Sequence, residues 1–356
     1  LKLGFVFQKD SHLKAVLATA FRLRKDYSQA KIQFFVIDAP SDSVQWLPDG
    51  VVFLSVENLT PMQDCDYLVC CLGGYLLNKI IGQYHQTQTK IIALFPGIVS
   101  HYQLDAFITR FNADQVWLNC PADVQFYAKL CQVFGVPNNG VLYGASWFLQ
   151  KNNQSISDGS TIFFEQTQII NNQATAQKIE SQLIGLIKKN PNIPFIYKLR
   201  ENIHNEYLVT MRERLAQFAN VQMVSVLNDS DVQKADTFLS ISSSAIVEGL
   251  LLGKQCYLLD KEYLDDDARE FFGQSNLFLS GNLSPNPNWL TDRVFAPVST
   301  VILETISKQS PKKFHQRSLI VVVVKMVLFA WRYPKLFFLF GKSDRIRAIK
   351  KSLEYL

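Results

Sequence analysis

Four serines fall within five residues in Phe238-Leu239-Ser240-Ile241-Ser242-Ser243-Ser244-Ala245-Ile246-Val247-Glu248-Gly249-Leu250-Leu251-Leu252-Gly253. The apolar run before them reads as a strand and the one after as a helix, so the serines occupy a strand-to-helix turn. The first N–H groups of a helix have no internal partner and lie at the positive end of its dipole. Hydroxyls beside them make an uncharged anion site, and a nucleotide phosphate is its natural guest. Plain N-capping accounts for one serine, so Ser242, Ser243 and Ser244 are assigned to the phosphate. Glu248, about one turn into the helix, either reaches a ribose or base or positions the loop.

A second cluster follows another strand, in Ile196-Tyr197-Lys198-Leu199-Arg200-Glu201-Asn202-Ile203-His204. Lys198 and Arg200 at its carboxyl end, with His204 in the loop, can neutralise a phosphate or a sugar carboxylate. A third lies just after the first strand, in Gln8-Lys9-Asp10-Ser11-His12-Leu13-Lys14. Asp10 and His12 are the expected general bases for a hydroxyl acceptor, with Asp10 or Ser11 otherwise a helix cap. Ser11 and Lys14 are placed on the acceptor side, together with the turn Pro96-Gly97, where backbone can approach a ligand. Glu165 and Gln166 end the first strand of the second half and are grouped with the nucleotide-sugar site. Asp265-Asp266-Asp267 reads as a polar helix start, where acidic residues suit the dipole, so no metal is expected. No dinucleotide fingerprint, phosphate loop, HExxH or nucleophile elbow occurs, and no cofactor beyond the nucleotide-sugar substrate is expected.

These loops need rigid elements behind them. Strand-like runs at Leu3–Phe7, Ile32–Ile37, Val51–Ser55, Tyr67–Cys71, Lys90–Phe95 and Gln115–Asn119 alternate with helical spacing at His12–Leu23, Gly74–Gln83 and Pro121–Phe134. Such alternation implies a parallel sheet covered on both faces. A polar stretch centred on Lys151–Ser160 interrupts it, and the alternation then restarts from Thr161 to Asp260. The expected domains are an acceptor-binding Rossmann-like domain over 1–146, a linker over 147–160, a nucleotide-sugar-binding Rossmann-like domain over 161–310, and a basic, apolar helical segment over 311–356. Parallel sheets bind ligands beyond the carboxyl ends of their strands, so both domains are expected to present these loops to a central cleft.

The 356 residues are 48% hydrophobic and 19% charged, a globular composition that excludes a disordered chain. The net charge of +5 conceals an asymmetry, since residues 311–356 hold eleven Lys/Arg against two Asp/Glu. A mildly acidic body with a basic, apolar tail points to an anionic membrane surface and away from nucleic acid. The run Ser318–Trp331 is strongly apolar, but Lys325, Arg332 and Pro334 argue against a spanning helix. It reads either as a helix packed back on the N-terminal domain or as an interfacial pair, with both readings compatible. Leu3–Phe7 is too short for a secretory leader and reads as a buried strand. The six cysteines lack metal spacing and read as reduced, buried residues of a cytoplasmic protein, with a peripheral location on the inner face of the membrane as the other option.

The serine turn followed by Val247-Glu248-Gly249-Leu250-Leu251-Leu252-Gly253-Lys254 resembles the serine motif of bacterial capsule glycosyltransferases that use CMP-activated acidic sugars, the Kdo and sialic acid transferases among them. Those families carry a Lys-x-His-Pro motif on an earlier strand. Here Lys198-Leu199-Arg200-Glu201 holds that place without the His-Pro, so either Arg200 or His204 replaces the histidine or the donor differs. A family of bacterial glycosyltransferases, some tied to capsular pseudaminic acid transfer, is more similar. It matches at Asp10–Lys14, Phe95–Val99, Asn119–Asp123, Phe164–Gln166, Lys198–Arg200 and the serine cluster. The resemblance implies a GT-B fold of two Rossmann-like domains. It also implies metal-independent transfer of a nonulosonic acid from CMP to a glycan or lipid-linked glycan of capsule or lipopolysaccharide. A UDP- or GDP-hexose donor is one alternative, and a non-catalytic glycan- or nucleotide-binding partner of capsule assembly is another.

Overall fold

A computed structural model describes residues 1–38, 47–149, 157–166, 172–200, 206–281 and 283–310, together with 324, 327–331, 334, 336 and 342–354. The chain divides into two compact units, Leu1–Leu149 with Phe295–Leu356, and Gln150–Val294.

In the first unit seven strands form one parallel sheet: β1 (Lys2–Phe7), β2 (Lys31–Ile37), β3 (Val52–Leu54), β4 (Tyr67–Cys70), β5 (Lys90–Leu94), β6 (Gln115–Leu118) and β7 (Gly140–Leu142). Their order is β3-β2-β1-β4-β5-β6-β7, with β1 hydrogen-bonded to β2 on one side and β4 on the other. Helices α1 (Asp10–Asp26), α2 (Gly74–Tyr84), α3 (Leu104–Ile108) and α4 (Pro121–Phe134) connect the strands. β1 is buried on both faces, as a central parallel strand must be, which is why it reads as an unbroken apolar run. α4 starts on Pro121, where the missing N–H costs nothing, and ends at Gly135 in the left-handed conformation. β7, three residues long and opening on Gly140, is a strand that apolar patterning does not predict.

The second unit holds a five-stranded parallel sheet of β8 (Thr161–Phe164), β9 (Phe195–Lys198), β10 (Val221–Val224), β11 (Thr237–Ser240) and β12 (Gln255–Leu258), in the order β10-β9-β8-β11-β12. Its helices are α5 (Gln173–Lys189), α6 (Glu206–Leu215), α7 (Asp229–Lys234), α8 (Ala245–Leu251), α9 (Asp266–Phe272) and α10 (Pro287–Arg293). Asp265 caps α9 by accepting from the Ala268 N–H at 2.8 Å, so the triple aspartate is a helix start. Each sheet reverses strand order once, between β1 and β4 and between β8 and β11, and loops at such a reversal flank a ligand crevice.

Residues 295–310 do not belong with the second unit, where the sequence reading carried that domain on to 310. They return as a strap across the first. The Ala145 N–H donates to the Phe295 carbonyl at 3.0 Å, and the Tyr67 hydroxyl donates to the Leu303 carbonyl at 3.0 Å. Lys308 pairs with the buried Asp114 at 3.1 Å. Gly144 makes the approach possible. Its φ is +97°, and a Cβ there would lie 2.4 Å from the Ala296 carbonyl oxygen. Residues without apolar periodicity give no hint of such a return, because its contacts are to strand ends distant in sequence.

The C-terminal stretch also joins the first unit. Phe329, Ala330, Leu336 and Ile349 enter its core, and the Phe329 ring sits 5.6 Å from Phe126. A last helix, α11 (Ser343–Glu354), packs on α3. Among the described residues no helix is long and apolar enough to cross a membrane. All six cysteines are buried free thiols.

Candidate functional site

His12 stands in the first turn of α1, directly beyond the carboxyl end of β1. Its ring is half-buried, and its Nδ1 is buried without a hydrogen-bond partner. Burial, then the positive charges of Lys9 and Arg110, lower its pKa from 6.5 to about 4. The imidazole is therefore neutral at physiological pH and able to accept a proton. Asp10 is the first residue of the same helix and is exposed. Two positions apart on a helix point about 200° away from each other, so Asp10 and His12 do not share a face. Lys9, not Asp10 or Ser11, occupies the N-cap position, with no side-chain cap. Ser11 and Lys14 are exposed.

The loop after β5 carries Pro96 and Gly97, both half-buried. The Gly97 carbonyl accepts from the Asn119 amide at 3.0 Å, which ties the loop to the end of β6. Four residues further on is a pair absent from the sequence reading. His101 Nε2 lies 3.0 Å from Asp123 Oδ1, with the carboxyl group 1% exposed and the imidazole 15% exposed. The His101 ring stacks on Phe126 at 4.1 Å and 4°. A buried carboxylate that fixes one imidazole nitrogen sets the tautomer and orientation of the ring. The pair was illegible in sequence because its members lie on different elements, Asp123 looking like an ordinary acidic residue in a first helical turn.

In the second unit Ser242, Ser243 and Ser244 follow β11 at the strand-order reversal, all half-buried. The Ser240 hydroxyl donates to the Phe164 carbonyl at 2.9 Å and accepts from the Ser243 N–H at 3.2 Å. This brace sets the turn against the end of β8; Gln166, two residues past that strand, is half-buried. Ser243 accepts from the Ala245 N–H at 3.2 Å, while Ser244 makes no side-chain cap. α8 is seven residues long, so the site depends on hydroxyls and loop N–H groups more than on a long helix dipole. Glu248 is half-buried within that helix.

Glu165 requires a correction. Its sequence position groups it with the nucleotide-sugar-binding residues, yet the residue is 4% exposed and its carboxylate already accepts four hydrogen bonds. The donors are the Tyr197 hydroxyl at 2.8 Å, the Arg200 N–H at 2.7 Å, and Arg212 Nε and a terminal nitrogen at 2.8 and 2.5 Å. Arg212 also donates to the Arg200 carbonyl at 3.1 Å. The main chain of Arg200 is thus gripped on both sides, while its side chain is exposed. Glu165 acts as a clamp that positions Arg200. Lys198 is likewise drawn inward, its ammonium donating to the Leu199 carbonyl at 2.7 Å and to the Ser225 carbonyl. His204 lies outside the described residues. Among the described residues no His, Cys, Asp and Glu group is arranged to hold a metal ion.

Two Rossmann-like parallel sheets, each with polar loops at its strand-order reversal, make up a fold of the GT-B type. The family described as "Putative glycosyltransferase (DUF6716)" matches residues 5–307, and the chain belongs to that family. No curated protein sequence matches it significantly. Among solved structures, the S. aureus MnaA–UDP complex is similar with TM-score 0.57 and 12% identity, covering 82% of this chain and 86% of that one. UDP-GlcNAc 2-epimerase from Methanocaldococcus jannaschii, in complex with UDP-GlcNAc and UDP, gives 0.55 and 12% over 82% and 91%. Arabidopsis thaliana UGT89C1 complexed with UDP-L-rhamnose gives 0.51 and 12% over 99% of each chain.

Proposed function

We propose that this glycosyltransferase moves an acidic sugar, a nonulosonic acid of the pseudaminic or sialic type, from a CMP donor to a surface-glycan acceptor of capsule or lipopolysaccharide. The observation that supports the reading is the turn of Ser242, Ser243 and Ser244, braced through Ser240 against the end of β8 at the β8/β11 reversal, with the exposed, clamped Arg200 beyond β9. The hydroxyls suit the single phosphate of a CMP-sugar, and Arg200 suits the sugar carboxylate. Neutral His12 takes the proton of the acceptor hydroxyl. The acceptor oxygen bonds to the anomeric carbon as the bond to the CMP phosphate oxygen breaks, and CMP leaves with its charge held by the serine turn.

A UDP- or GDP-hexose donor is the second reading, favoured by fold relatives whose structures hold UDP or UDP-sugars. A diphosphate would use the same serines and leave Arg200 without a sugar carboxylate. Thermal unfolding with CMP, UDP and GDP separates the two. A ligand that binds only the native state stabilises it by about 2.7 kcal/mol at a hundredfold excess over Kd. The expected result is an upward shift with CMP and a larger one with a CMP-nonulosonate, the excess being lost in Arg200→Ala. A shift with UDP or GDP alone discards the acidic-sugar donor, and no shift with any nucleotide transfers the weight to a non-catalytic role.

The C-terminal stretch supports a peripheral location on the inner, anionic face of the cytoplasmic membrane. Val324, Val327, Leu328 and Trp331 are spaced as one helical stripe and are 50%, 42%, 59% and 76% exposed. Arg347, Lys350 and Lys351 on α11 are exposed as well. An apolar stripe with a tryptophan and nearby cations is the composition of an interfacial anchor.

A further inference from the structure

Buried donors without partners gather at the carboxyl end of the first sheet. Arg110 is 3% exposed. One terminal nitrogen donates to the Leu72 carbonyl at 2.7 Å and the Leu94 carbonyl at 3.0 Å, just past β4 and at the end of β5. The other donates to Ala106 at 2.5 Å. All three acceptors are neutral carbonyls, and the Nε N–H is buried with no acceptor at all. Asp105 faces the guanidinium electrostatically without bonding to it, and its own pKa is raised by burial. This buried cation is held by carbonyls and stacked on the Phe95 ring at 3.9 Å, with no carboxylate hydrogen-bonded to it as a buried charge ordinarily keeps.

The ground beside Arg110 is the first turn of α2. That eleven-residue helix starts from Gly73, extended at φ −143°, and Gly74 at φ +57°, and no side chain caps it. A Cβ on Gly73 would lie 3.8 Å from an Arg110 terminal nitrogen, and one on Gly74 would meet nothing within 4 Å. The glycine pair therefore leaves open space in front of the helix N–H groups, with the guanidinium at its edge. One turn on, Asn78 is 8% exposed and its amide nitrogen is buried without a partner. Helical side chains lean toward the N-terminus, which directs Asn78 over this first turn. The titratable groups that act on Arg110 are Cys71, Tyr127, Asp105 and Cys70, and Arg110 in turn helps to keep His12 neutral. Helix N–H groups, Arg110 and Asn78 are all donors, and unsatisfied buried donors in one place call for an acceptor.

We propose that the first turn of α2, with Arg110 and Asn78, binds a phosphate group, and that this group belongs to the acceptor. Three independent sets of donors match the three terminal oxygens of a phosphate better than the two of a carboxylate. The site lies at the β1/β4 reversal, next to the base His12, so a phosphate held there places a nearby hydroxyl of the same molecule at the imidazole. Assignment of the phosphate to an acceptor rests on the proposed transfer reaction; binding of the anion does not.

The test is calorimetric titration of the full chain, pre-saturated with whichever nucleotide stabilises it, with inorganic phosphate, pyrophosphate and acetate. Gly73→Asp is the informative variant, because extended backbone accepts any residue and the new carboxylate would sit against Arg110. Phosphate is expected to bind, acetate at least tenfold more weakly. Gly73→Asp should lose phosphate at least tenfold while melting at or above the wild-type temperature, and Asn78→Leu should lose it severalfold without a lower Tm. Unchanged phosphate binding in Gly73→Asp, a Tm lowered by that substitution, or no binding of phosphate by the wild type at millimolar concentration would each overturn the site. If no nucleotide binds but Gly73→Asp still abolishes phosphate binding, the anion site stands and the donor assignment falls. If phosphate binds at the site but phosphorylated glycans compete no better than inorganic phosphate, the acceptor assignment is wrong.

Discussion

At the scale of single residues, His12 carries the sharpest consequence. Its folded pKa of about 4 lies below the ordinary 6.5. Between those values the unfolded chain binds a proton that the folded chain refuses, so stability is full above about pH 6.5, falls as the pH drops toward 4, and levels off below. The loss is on the order of 3 kcal/mol at most. Urea unfolding from pH 7 to 4 should show this slope in the wild type and a smaller one in His12→Asn. The same depression moves the acid limb of kcat/KM below the usual histidine range. His12→Ala should reduce turnover by about 10²- to 10⁴-fold if it is the base, and a pH–rate profile with its acid midpoint near 6.5 would exclude it. The sequence marked His12 as a base because of its place after the first strand. It could not show the burial or the approach of Arg110, which comes from nearly a hundred residues away.

At the scale of elements, the decisive feature is how strand ends are braced. Glu165 at the end of β8 holds Tyr197 on β9, Arg212 on α6 and the Arg200 main chain. Glu165→Gln keeps the shape and removes the charge, leaving Arg212 without its partner. A loss of about 3 kcal/mol is expected from breaking such a pair, read by urea unfolding, together with a raised KM for the donor as Arg200 loses its placement. Unchanged KM with lowered stability would make the clamp purely structural. The sequence placed Glu165 at the right loop but read an inward, fully bonded carboxylate as an outward one. A charged residue at a strand end looks identical in sequence whether it faces a ligand or a carbonyl, and only its partners decide.

At the scale of the whole molecule, the second half of the chain does not end where its alternation ends. The strap over 295–310 and the core positions Phe329, Ala330, Leu336 and Ile349 return to the first unit. Trp331 and its three apolar neighbours nevertheless remain exposed on the same stretch. Sedimentation with vesicles should show binding to anionic lipid, weakened by added salt, absent with neutral lipid, and reduced severalfold by Trp331→Ser with Leu328→Ser. Equal binding by that double variant would remove the stripe from the account.

What the sequence by itself determined is the alternation of buried strands with amphipathic helices, hence two parallel sheets, and the loops that stand at their carboxyl ends. Those properties are local, since apolar periodicity and capping residues such as Pro121 are written along a single stretch of chain. What only the tertiary structure decided is which polar side chain meets which. The His101–Asp123 pair, the Glu165 clamp, the neutral carbonyl cage of Arg110 and the strap through Gly144 all join residues from separate elements, and their energies depend on burial and distance, which spacing along the chain does not encode.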